Sequence, residues 1–163
     1  MNKNPTLVGS YRVRVPAAMT SSVLISAYGG LISNDCLMLL AKEWDDCERE
    51  MLRIKVYSKF EDAFNVHKFA QGFTPSDRPR FRQTTIAELV ALGAKERDLG
   101  LATFVYGLGS AYINPEERLA CGMVEPTFYY PGLESMDGSR QVLARAIHNP
   151  WDCDTHIALV ELS

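Results

Sequence analysis

Apolar and polar positions alternate at the start of the chain. Tyr11, Val13 and Val15 interleave with Arg12 and Arg14, the period-two pattern of a strand with one buried and one wet face. The β-branched and aromatic run Thr6 to Val15 predicts a first strand stopped by Pro16, and Ser22 to Tyr28 predicts a second stopped by Gly29 and Gly30. The two are expected to pair as an antiparallel hairpin around Ala17 to Ser21, with the arginines on the wetter face.

From Leu31 to Gln71 there is neither Gly nor Pro, and the apolar period lengthens. Leu37, Leu40, Trp44, Cys47 and Met51 recur at intervals of three and four behind Asn34, an N-cap candidate, and Asp35, whose charge suits a helix start. Arg53 to Tyr57 then alternates like a strand, and Ser58-Lys59-Phe60-Glu61 matches a capping box. The pattern predicts helix, strand, helix. The second helix, over 59–71, places Phe60, Ala63, Phe64 and His67 on one face and ends at Gly72.

A second capping box, Thr85-Ile86-Ala87-Glu88, opens a helix through about Arg97, after a loop over 72–84. Leu101 to Tyr106 reads as a buried strand, Pro115-Glu116-Glu117 as the first turn of a short helix, and Val124 to Tyr130 as a strand in which Pro126 favours an edge or a bulge. Ser139 to Ile147 is amphipathic at helical spacing through Val142, Leu143, Ala146 and Ile147, and His156 to Leu162 closes the pattern as a strand. Without a strict βαβα rhythm, the expectation is a single compact α+β domain over 1–163. Its mixed or mostly antiparallel sheet should have about five to six strands, packed with about four to five helices.

Composition narrows the class. With 163 residues, 47% hydrophobic and 23% charged, the chain is neither disordered nor collagenous, and it lacks the uninterrupted apolar run of a membrane helix. Arg12 and Arg14 fall where a cleaved leader needs an apolar core, so a cytoplasmic location without membrane attachment is expected. Cys36, Cys47, Cys121 and Cys153 form neither a CxxC pair nor a compact disulfide framework and read as buried free thiols.

The formal charge of −3 conceals an asymmetry. Residues 1–82 hold 12 Lys and Arg against 9 Asp and Glu, whereas residues 83–163 hold 5 against 11. Within 49–82 the basic residues outnumber the acidic ones by 8 to 4, most sharply at Arg78-Pro79-Arg80-Phe81-Arg82. Arginine forks grip phosphate or carboxylate at two points, so Arg78, Arg80, Phe81 and Arg82 are the candidate binding residues. The competing assignment is internal pairing with Glu88, Glu116, Glu117 or Glu134.

Other motifs are weaker. Tyr57, Phe60, Phe64, Phe69, Phe73 and Phe81 interleave with basic residues as stacking platforms for a single strand do, yet Phe60 and Phe64 have core spacing, and neither a zinc finger nor an RRM motif is present. His148, Cys153 and His156 with Asp152 and Asp154 lack metal-ligand spacing, so neither metal nor cofactor is expected. Gly107-Leu108-Gly109-Ser110 lacks the remaining residues of a phosphate loop and reads as a tight turn. The leading expectation is a protein-interaction or regulatory module that binds an acidic protein surface or a phosphate-bearing ligand through 78–82. The alternatives are a small hydrolase or transferase using His67 or the His148/His156 pair, and nucleic-acid binding through 49–82.

Overall fold

The computed structural model describes residues 5–46, 50–72, 78–96, 99, 104–118, 121–136, 139–147, 151 and 155–162. They form an α+β fold with four α-helices and nine strands in one mixed sheet, more strands than the pattern predicts. The strands are β1 (Thr6–Val15), β2 (Leu31–Ile32), β3 (Glu50–Ser58), β4 (Phe81–Gln83), β5 (Phe104–Tyr106), β6 (Tyr112–Arg118), β7 (Val124–Met136), β8 (Ser139–Ala146) and β9 (His156–Glu161). The helices are α1 (Ser21–Tyr28), α2 (Asn34–Glu43), α3 (Ala63–Gln71) and α4 (Ile86–Lys95).

Across the sheet the order is β1-β3-β9-β5-β7-β8-β2, with β4 also paired to β9 and β6 also paired to β7. The β5–β9 and β2–β8 ladders are parallel and the others antiparallel. Strand alternation sends side chains to two cores, one on each face. Val13, Ile54, Val56, Val105, Leu133, Val142, Ala158 and Val160 meet α1, α2 and α4. Tyr57, Phe81, Phe104, Tyr106, Ile157 and Leu159 meet α3.

Two-sided burial accounts for the first of three differences from the predicted pattern. Residues 139–146 form β8 and not a helix, because Val142 serves one core and Leu143 packs on the other, so neighbouring apolar residues are required. Residues 22–28 form α1 and not a strand, so the expected hairpin is absent. Thr20 accepts the Val23 N–H at 3.4 Å, Leu24 and Tyr28 bury an i, i+4 face, and Gly29 ends the helix at φ 68°. Pro115 to Glu117 lie in β6 and not in a helical turn. The β6–β7 register slips between Asn114 and Glu117, opposite Pro126, which fits the bulge that proline favours.

Other boundaries moved locally. Ser33 and not Asn34 caps α2, which stops at Glu43, and Met51 belongs to β3 and not to the helical stripe; Cys47 lies outside the described residues. Ser58 ends β3, Lys59 turns the chain at φ 69°, and Asp62 caps α3 through a 2.8 Å bond from the Asn65 N–H. The buried face of α3 is Val66 and Ala70, whereas Phe64 is 70% exposed and His67 is exposed. The capping box of α4 forms in full. None of the helices among the described residues is long and apolar enough to cross a membrane.

Candidate functional site

The segment 78–82 crosses from the end of α3 into β4, and its backbone is held at both sides. The Arg80 N–H donates to the Ala70 carbonyl at 2.9 Å and the Arg80 carbonyl accepts the Leu162 N–H at 2.8 Å. Arg78 and Arg80 precede β4 and Arg82 lies within it, and the three side chains have different surroundings. Arg82 turns toward α4, where Nη1 donates to Glu88 Oε1 at 2.8 Å and Nη2 to Oε2 at 2.5 Å. Glu88 is completely buried and also accepts the Thr85 N–H at 3.0 Å, so the capping glutamate and the arginine form one internal unit.

Phe81 turns the other way into an aromatic cluster. It stacks on Phe69 at 5.5 Å between centroids and meets Tyr57 edge-on at 5.7 Å, and Phe60 completes the group through Tyr57 and Phe69. Tyr57, Phe60 and Phe81 are buried, so these three rings offer no open stacking surface. Arg80 lies above the cluster, its guanidinium carbon 5.2 Å from the Phe69 ring centre and 5.8 Å from that of Phe81. Arg78 is exposed and makes no ion pair with a described carboxylate.

The same sheet face continues past the aromatic cluster, where none of the described helices covers it. Arg12 of β1 is directly opposite Arg53 of β3, Ser10 is opposite Lys55, and Arg14 is opposite Met51. Arg12 and Arg14 are exposed, the Arg53 side chain is 48% accessible and Met51 is 58% exposed. Glu161, at the end of β9, reaches Lys55 Nζ at 3.1 Å and Arg53 Nε at 3.7 Å. One carboxylate thus faces four cations on β1 and β3 among the described residues. A shallow cleft of about 460 Å³ runs between Arg12, Met51, Arg53, Glu161 and Leu162.

Like charges directly opposite on neighbouring strands are destabilising, so the Arg12–Arg53 pair costs free energy that a bound anion would recover. The sequence shows Arg12 and Arg14 on a wet face but does not pair them with Arg53 and Lys55. The R-x-R and R-x-K spacings were the legible signal, and only the register joins them.

The remaining candidates are placed as follows. His67 stands on exposed α3, while by strand alternation His156 falls on the opposite face, toward α4; His148, Cys153, Asp152 and Asp154 lie outside the described residues. Among the described residues no three metal-ligating side chains converge. The Gly107 and Gly109 N–H groups donate to the carbonyls of Pro131 at 3.0 Å and Thr84 at 2.9 Å, which leaves neither for a phosphate. A Cβ on either glycine would come within 2.8 Å of the Thr84 oxygen, so close backbone approach explains this pair. No protein-family profile, curated protein or solved structure is significantly similar to the chain.

Proposed function

We propose that the protein is an interaction module that binds an acidic protein partner on the open face of β1 and β3, with Arg12, Arg14 and Arg53 as principal contacts and Arg78 and Arg80 at its rim. Lys55 contributes charge from beside Glu161. The observation that carries this reading is the exposed Arg12–Arg53 cross-strand pair beside an uncovered cleft. Arg82 is excluded from the contact set because Glu88 already holds both arms of its guanidinium.

Carboxylates are favoured over the phosphates of a nucleic acid for two reasons. Tyr57, Phe60 and Phe81, three of the rings that could stack bases, are buried in the core, and the chain carries a formal charge of −3. Binding of a labelled Glu-rich peptide, followed by fluorescence anisotropy, tests the assignment. Wild type should bind, the triple variant R12E/R14E/R53E should lose about tenfold or more in affinity, and the melting temperature should stay within a few degrees. An undetectable interaction with wild type would overturn the proposal, as would tighter binding of a single-stranded oligonucleotide.

A further inference from the structure

The geometry points to strand addition as the docking mode: we infer that an extended acidic segment of the partner pairs with the free edge of β1. This rests on the reading of the basic face given above. β1 lies at the end of the sheet, its inner edge bonded to β3 from Thr6 to Val15. No described strand pairs with its outer edge. A ten-residue edge of this kind is a template for another chain unless it is guarded.

A guard is present. The Lys95 ammonium, at the last turn of α4, donates to the Arg12 backbone carbonyl, occupying an acceptor that an added strand would use. Arg12 and Arg14 repel cationic or arginine-bearing strands in the same way. β1 has no acidic residue, so two copies meeting through their β1 edges would bring four of these arginines into one sheet. A second copy is therefore a poor occupant by this edge.

An acidic segment suits this edge. Side chains two apart on a strand point to one face and are spaced about 6.8 Å, so Asp or Glu at alternate positions would stand beside Arg12 and Arg14. The carboxylate beside Arg12 also offsets its repulsion from Arg53. Main-chain bonds would then provide affinity and the alternating carboxylates specificity. On docking, Lys95 leaves the Arg12 carbonyl.

Four peptides of matched charge test this by anisotropy and hydrogen exchange: one alternating Glu and Thr, one with the glutamates in a single block, and two copies of the alternating peptide, each N-methylated along one backbone edge. Strand addition predicts that the alternating peptide binds about tenfold more tightly than the block. Methylation of one edge should abolish that gain while methylation of the other leaves it, and alternate β1 amides should exchange more slowly in the complex. Lys95→Met should raise affinity. Equal binding of all peptides, sensitive to R12E, would overturn strand addition while leaving the acidic-partner proposal standing. No binding by any peptide would remove both, and a dimer of the wild-type protein paired through β1, detected by sedimentation and β1 protection, would also overturn the inference.

Discussion

Arg82 and Glu88 hold each other at two points, 2.8 and 2.5 Å, with the Glu88 side chain entirely out of water and the Arg82 side chain 29% accessible. The pair ties β4 to the first turn of α4, and it turns a sequence-level binding residue into an internal strut. Arg82→Ala leaves a buried carboxylate short of its strongest partner and should cost about 3 kcal/mol, measured by urea unfolding. Binding of an acidic peptide by the surviving folded fraction should be unchanged. A variant as stable as wild type would show that Glu88 is satisfied without the arginine.

The Arg12–Arg53 pair makes the opposite forecast. Arg12→Glu replaces facing like charges with facing opposite charges, so the variant should gain about 0.5 kcal/mol while losing peptide affinity. Stability and binding then move in opposite directions from one substitution. A loss of stability would mean that Arg12 already has a structural partner.

Alkaline solution should weaken the fold. Burial pushes the Cys36 thiol up from its ordinary 9.0, and burial raises the Tyr28 and Tyr130 phenols above 10.0, although for Tyr28 the nearby Arg140 opposes the shift. Each group is neutral when protonated and gives up its proton more readily in the unfolded chain. Stability from these groups is therefore whole below about pH 8.5 and is lost progressively as pH rises through the folded values. Urea midpoints from pH 7 to 11 should fall at the alkaline end for wild type and fall less for Tyr28→Phe. An identical slope in the two proteins would assign the effect elsewhere.

Gly132 has a steric reason to be glycine, since an added methyl would overlap the Phe104 ring, which Arg145 covers from 4.6 Å. Gly132→Ala should cost about 1–3 kcal/mol by overpacking. Shortening the ring with Phe104→Leu in the same chain should recover part of that loss, so the two changes are less than additive. Full additivity in denaturation curves would place the cost in the backbone.

What the sequence revealed divides along the range of the forces involved. α4 is legible because its capping box is complete within four residues, and β1 because Arg12 and Arg14 keep strict period two beside one buried face. β8 is not, because a strand buried on both sides has adjacent apolar residues such as Val142 and Leu143, which mimic a helical face. Likewise Arg80 and Arg82 look alike in a list of residues and share the same strand parity, yet Arg80 precedes β4 and lies over the aromatic rings, whereas Arg82, within the strand, turns to Glu88. The meeting of Arg12 with Arg53 depends on the register of two strands distant in sequence, and no local pattern encodes it.

The position of β9 sets when the two parts of the sheet can join into one. Among the described ladders, β9 alone connects the β1–β3 pair to the block of β5, β7, β8, β2 and β6, and it also carries β4. Without residues 156–161 the described ladders fall into two groups, linked across the helical core by α4, which packs on both β1 and β7. The strand that makes the sheet continuous is thus the last of the described strands to be made, so the long-range pairing of the sheet waits on residues 156–161.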